Sequence, residues 1–143
     1  FMTESLHIEK GNKVLEVGTG SGFQTAVLSK LGAKVSTIEI NKKLFKESLK
    51  RLTDLGYGDI SFYLGDGNKG VPEQSPYDRI LVTAAPAEIP RDLLGQLAKN
   101  GIMVIPVGNH SEVQYLYRIK KLDDDKIEKE KILPVHFVPL IKS

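Results

Sequence analysis

Apolar positions in the chain fall into short blocks that alternate between strand-like runs and helical spacing. Val14, Leu15 and Val17, interrupted by Glu16, predict a buried strand over 13–17. Residues 22–31 have helical spacing, and Gly32 closes them. Lys34 to Ile38 predict a second strand, ending in Glu39. Asn41 is a candidate N-cap for a helix over 42–55, with Leu44, Phe45, Leu49, Leu52 and Leu55 toward the core. Strands are expected at 60–64, 77–83 and 102–107, with a turn-rich loop over 68–76. A helix over 90–98 buries Leu93, Leu94 and Leu97, and Pro90 suits its first turn. Two further strands, 113–122 and 129–140, flank a charged hairpin turn at 123–126. The first eight residues read as the tail of a helix.

Five βα units followed by an antiparallel pair define an α/β fold. The expectation is a Rossmann-like, mostly parallel seven-stranded sheet with helices on both faces and an antiparallel C-terminal strand pair. Residues 1–143 are expected to form a single domain, with right-handed crossovers.

Composition narrows the chemistry. A hydrophobic share of 41% and a charged share of 27% suit an ordinary globular core. The formal charge of +2 gives no footing for nucleic acid or an anionic membrane as partner. The sequence has no cysteine, which excludes disulfides, thiolate metal sites and a cysteine nucleophile. Three scattered histidines make no metal cluster. No apolar run approaches the roughly 20 residues of a membrane helix. The expected setting is cytoplasmic, as a monomer.

The chemistry centres on Lys13-Val-Leu-Glu-Val-Gly-Thr-Gly-Ser-Gly22, where a strand runs into glycines at alternate positions and then a helix. Such a turn lets backbone N–H groups approach a ligand closely. A dinucleotide site prefers Gly-x-Gly-x-x-Gly, but here Phe23 takes the third glycine's place. Glu16 would repel a phosphate and attract a cation. S-adenosylmethionine, with a sulfonium, an amine and no phosphate, fits. Glu-x-Gly-x-Gly-x-Gly resembles the first motif of class I methyltransferases. A turn that binds nothing is the bland alternative.

Glu39 follows Glu16 by 23 positions and ends the second strand. A carboxylate there can accept both ribose hydroxyls; otherwise it is a surface residue. Asp66, between Gly65 and Gly67, lies where it can meet an adenine amino group, or it is a turn aspartate. Glu16 is expected to favour the cationic methionine end. Gly18, Thr19, Gly20, Ser21 and Gly22 would form a backbone cradle, with contacts from Gln24 and Thr25. Ile40 would pack on adenine, Asp66 and Gly67 would meet its edge, and Thr83, Ala84 and Ala85 would floor the site.

Several stretches together resemble the protein-L-isoaspartate O-methyltransferase family. They are residues 14–26, Gly65-Asp-Gly67, Tyr77-Asp-Arg-Ile-Leu-Val-Thr-Ala-Ala85 with Ile89-Pro90, Ile105-Pro-Val-Gly108 and Phe137-Val-Pro-Leu140. The resemblance implies methyl transfer from S-adenosylmethionine, leaving S-adenosylhomocysteine, to the free α-carboxylate of isoaspartyl residues in damaged proteins. It also implies that Ala84, Ala85, Pro106, Val107, His136, Phe137 and Val138 hold the substrate peptide. The family carries a Thr-Ile-Ser-x-Pro type motif ahead of the segment matching Met2-Thr-Glu4, and these 143 residues contain none. The chain is therefore expected to be the family domain without its N-terminal part.

A substrate carboxylate, with a pKa of about 3.9–4.3, is ionised at neutral pH, so no general base and no catalytic side chain are expected. Other readings are a class I methyltransferase with a different substrate and a non-catalytic S-adenosylmethionine-binding fragment. A nicotinamide dehydrogenase fits the glycine spacing least.

Overall fold

The computed structural model describes residues 2–143. Phe1, which the sequence places in the N-terminal helix, lies outside the described residues. The elements are α1 (Met2–Leu6), β1 (Lys13–Val17), α2 (Phe23–Lys30), β2 (Lys34–Glu39), α3 (Lys42–Asp54) and β3 (Ser61–Leu64). They continue with β4 (Tyr77–Val82), α4 (Arg91–Gln96), β5 (Leu97–Val107), β6 (Gln114–Asp123) and β7 (Lys126–Val135). One seven-stranded sheet has the order β3-β2-β1-β4-β5-β6-β7. The strands from β3 to β5 pair in parallel, and β6 and β7 run antiparallel to their neighbours. The strand order therefore reverses between β1 and β4, where an open α/β sheet leaves a crevice at its C-terminal edge.

Side chains on a strand alternate between the two faces, so β1 feeds two cores. Val14 joins Leu6, Leu28 and Leu52 from the three N-terminal helices. Leu15 and Val17 join Leu93 of α4 with Ile80, Val82, Met103 and Ile105 on the other face. Leu52 is the residue that seats α3 in this core. Leu55, expected inside, is 67% exposed, and Leu44 turns toward the sheet edge.

Several boundaries differ from the sequence expectation. The β3–β4 connection holds only two 3-10 turns, Gly67–Lys69 and Pro72–Gln74, so that unit has no α-helix. Helix α4 stops at Gln96, and β5 begins at once. The Asn100-Gly101 turn sits inside β5 as a bulge. The register passes from Tyr77↔Leu97 to Arg79↔Ile102, with Asn100 left-handed at φ 66°. β7 starts three residues earlier than expected and ends at Val135 rather than 140. Residues 136–143 leave the sheet because their backbone groups find partners across its C-terminal edge. Ala85 N–H donates to Val138 O at 2.8 Å, and Leu140 N–H donates to Ala85 O at 3.0 Å.

β7 is an outer strand whose residues 126–131 are exposed and alternate in charge. Lys129 and Lys131 lie over the rings of Tyr117 and Tyr115, at 4.6 and 4.1 Å from the centroids.

Candidate active site

At the strand reversal, β1 ends in a turn with Gly18, Gly20 and Gly22 at φ 100°, 55° and 88°. Two of these glycines have different local needs. A Cβ on Gly18 would lie 2.5 Å from Thr83 Oγ1, so packing against β4 demands glycine there. A Cβ on Gly20 would meet nothing within 4 Å, so the space beside it is free. Gly18 N–H bonds Ile38 O at 2.9 Å, and Gly20 N–H bonds Glu39 Oε1 at 2.8 Å. Glu39 Oε2 accepts the Asn41 N–H at 2.9 Å. Each carboxylate oxygen keeps a further lone pair. Thr83 Oγ1 bonds back to Gly18 O at 2.9 Å, closing the turn from the β4 side.

These groups border a cavity of about 290 Å³. Gly18, Gly20, Glu39, Ile40, Gly67, Thr83 and Ala84 line it, with Asn41, Leu44 and residues 138–141 of the C-terminal segment. A second cavity of about 620 Å³ lies on the other side of that segment, lined by residues 85–92, Gly108, Asn109, His110 and Lys142 among others. Pro139 and Leu140 face both cavities.

Glu16 does not reach the first cavity. It is fully buried beneath the turn, where Oε1 accepts the hydroxyls of Thr25 and, at 2.7 Å, Thr37. Thr37 spends its proton on Glu16, so Thr19 donates to Thr37 across 2.6 Å. Burial raises the Glu16 carboxyl to about 7, against the pull of the two threonine bonds. Enclosed beneath the turn, the carboxyl does not line the cavity that the sequence places it beside. Its Oε2 has no partner among the described residues.

Thr19 and Thr25 belong to this buried network. Ser21 O accepts from Arg51, and Gln24 bonds Thr3 of α1. Gly22 N–H bonds Thr19 O at 2.9 Å. None of these five lines the cavity. Asp66 uses both oxygens internally, accepting Asn68 N–H at 2.9 Å and Ser143 N–H at 3.2 Å. Burial opposes its ionisation, but these bonds outweigh it and hold the carboxyl below its usual range. Its neighbour Gly67 does face the cavity, and a Cβ there would lie 2.3 Å from Val17 Cγ1.

The residues expected to hold a peptide are divided. Ala84 and Val138 line the first cavity and Ala85 the second. Pro106 and Val107 sit within β5, opposite Leu116 and Tyr115, and line neither. The His136 ring lies 5.6 Å from that of His110. Phe137 has its backbone bonded to Gln114. Leu44, Pro139, Leu140 and Ile141 are cavity residues that the sequence reading did not single out. Leu44 reads there as helix core, Pro139 and Leu140 as the end of the last strand, and Ile141 lies beyond it.

The sheet order, the glycine turn and the carboxylate at the β2 tip define the Rossmann-like class I methyltransferase fold. A solved protein-L-isoaspartate O-methyltransferase superposes with a TM-score of 0.90 at 32% identity, covering 96% of this chain and 44% of that one. A Plasmodium falciparum protein in complex with S-adenosyl-L-homocysteine superposes with a TM-score of 0.78 at 26% identity, covering 99% of this chain and 70% of its own. Residues 1–143 match the family model "Protein-L-isoaspartate(D-aspartate) O-methyltransferase", and the chain belongs to that family. The protein-L-isoaspartate O-methyltransferase of Parvibaculum lavamentivorans is 48% identical over 146 residues, covering 100% of this chain. The chain spans 65% of that relative's length.

Proposed function

We propose that the chain binds S-adenosylmethionine at the β1–β4 crevice and serves transfer of its methyl group to the α-carboxylate of isoaspartyl residues in proteins. The observation that carries this reading is the Glu39 carboxylate, bonded to Gly20 N–H at 2.8 Å on the wall of the 290 Å³ cavity. A nucleoside fits this donor set. Glu39 has lone pairs left for two ribose hydroxyls, Ile40 and Leu44 offer apolar surface to a base, and the open space at Gly20 admits a ligand against the turn. Family membership and the Plasmodium falciparum complex support the choice of cofactor.

The cofactor supplies an electrophilic methyl group on sulfur, and S-adenosylhomocysteine remains after transfer. This chain's residues contribute position. Glu39, Gly18 and Gly20 fix the nucleoside and amino-acid ends. Ala84, Val138 and Leu140 exclude water from between donor and acceptor. The acceptor carboxylate is already ionised, so no residue needs to remove a proton. Orientation alone is worth effective molarities on the order of 10⁵ M or more. Ala85, His136, Phe137 and Val138, with Pro106 and Val107 behind them, form the peptide side in this reading.

The same reading makes residues 1–143 one cofactor-binding domain, acting as a cytoplasmic monomer on isoaspartyl proteins without nucleic acid or membrane. The modest charge of +2 supports the part of it that concerns nucleic acid; among the described residues no helix is long and apolar enough to cross a membrane.

The test is methyl transfer from labelled S-adenosylmethionine to an isoaspartyl peptide, with the aspartyl peptide as control and calorimetry on the same preparation. Transfer to the isoaspartyl peptide alone is expected. Binding without transfer assigns this chain cofactor binding only. Absence of binding in a folded sample overturns the cavity's assignment.

A further inference from the structure

One buried polar side chain beside the site has no part in the reading above. Gln114 opens β6 and is 1% exposed. Its carboxamide meets the backbone of Phe137 at both ends. Oε1 accepts Phe137 N–H at 2.7 Å, and Nε2 donates to Phe137 O at 3.1 Å. One glutamine thus supplies the donor and acceptor that a neighbouring strand would offer. Among the described residues, Phe137's backbone has no other hydrogen-bond partner.

The position of this pair matters. The last ladder contact of β7 joins Val135 to Gln114 itself. Two residues further on, Gln114 takes hold of Phe137. The chain then crosses the sheet edge, and Val138 O and Leu140 N–H bond the two sides of Ala85. Val138 to Ile141 form one wall of the 290 Å³ cavity. Space filling alone does not account for the residue. A methionine or leucine would fill the volume without desolvating an amide, a cost recovered only when both amide groups are paired. Here both are paired, and both with the strap.

We infer that Gln114 is a positioning residue of the site. By clamping Phe137 it sets where residues 138–141 cross the crevice, and so the shape of the cavity wall. This rests on reading that cavity as the cofactor site. Gln114 touches neither cavity, and its action runs entirely through the strap.

The test compares the 143-residue chain with Gln114→Met, which keeps length and loses both bonds, and Gln114→Glu. The glutamate keeps an acceptor for the N–H and sets a second oxygen against the Phe137 carbonyl. Amide hydrogen exchange is read without ligand, and S-adenosylhomocysteine affinity by calorimetry. Loss of two ordinary hydrogen bonds predicts affinity weaker by about tenfold. Exchange is expected to quicken at Phe137, Leu140 and Ala85, while amides within β1 and β4 keep their protection. Unchanged exchange at Leu140 and Ala85 overturns the clamp, and so does faster exchange spread evenly over the sheet, which marks Gln114 as a core residue only. Localised loosening with unchanged affinity overturns its role at the site. If Gln114→Met does not fold, Gln114→Glu decides by the same readings. If the parent chain does not bind S-adenosylhomocysteine, the cofactor reading falls, while the exchange data still decide the clamp.

Discussion

Glu39 and Gly20 are bonded across the tips of adjacent strands, with the carboxylate Oε1 taking the glycine N–H at 2.8 Å. The bond ties the β2 tip to the turn after β1, so the carboxylate that faces the cavity also shapes the cradle beside it. Glu39→Ala removes both functions. S-adenosylhomocysteine affinity should fall by about 1.5–3 kcal/mol, the usual loss for a hydrogen bond to a charged group. Calorimetry on the folded variant reads this directly, and an unaltered affinity takes Glu39 out of the site.

Glycine substitutions should separate binding from folding. Gly20→Val places its side chain in open space beside the cavity, at φ 55°, where a left-handed backbone costs an L-residue roughly 1–2 kcal/mol. The variant is expected to fold with modest loss and to bind cofactor poorly. Gly67→Ala instead drives a methyl group to 2.3 Å from Val17 Cγ1. Its cost should appear as overpacking of about 1–3 kcal/mol in urea unfolding. A folded Gly20→Val protein with normal binding contradicts the cradle.

Glu16 should leave a mark on the pH dependence of stability. Burial raises its folded-state pKa from 4.5 to about 7. Between those values the unfolded chain releases the proton while the folded chain retains it. Stability from this group is therefore complete below about pH 4.5, declines as pH rises, and levels off above about pH 7. The full span is on the order of 3 kcal/mol. Glu16→Gln keeps the Oε1 acceptor for Thr25 and Thr37 and cannot ionise. Urea titrations at pH 5 and pH 8 should show the parent losing more stability than the variant. Parallel losses in the two proteins would contradict the buried, neutral carboxyl.

Lys121 offers a contrast away from the cavities. It is 8% exposed, and its ammonium donates to Leu94 O and Leu97 O, each at 2.9 Å, where α4 gives way to β5. Lys121→Met removes the ammonium from both carbonyls, although Leu94 O keeps the Leu97 N–H. Denaturant unfolding should report a loss of about 1–3 kcal/mol with cofactor affinity unchanged. Equal stability would show that water replaces the ammonium there.

The parts of the site legible in the sequence are those built from local pattern. The glycine turn, Glu39 at the end of β2 and the small residues Thr83 and Ala84 lie within or just beyond short elements whose apolar spacing is clear. What escaped the sequence depends on distant partners. Glu16 reads as a charge beside a ligand, and only its burial beneath the turn, which raises its carboxyl to about 7 against the two threonine bonds, sets it apart from that reading. Gln114 reads as one more polar position in an alternating strand, because its partner Phe137 lies 23 residues away. The run to Leu140 reads as strand, and its turn across the sheet edge is decided by Ala85, a residue in another part of the chain.

Pro139 and Leu140 stand between the two cavities and face both. A partition shared in this way makes the volumes on its two sides interdependent. Any occupant that shifts the partition alters the free energy of filling the other side, and thermodynamic linkage requires the same coupling in both directions. For occupants of the two cavities that shift it, affinities measured one at a time differ from those measured together, by one common factor.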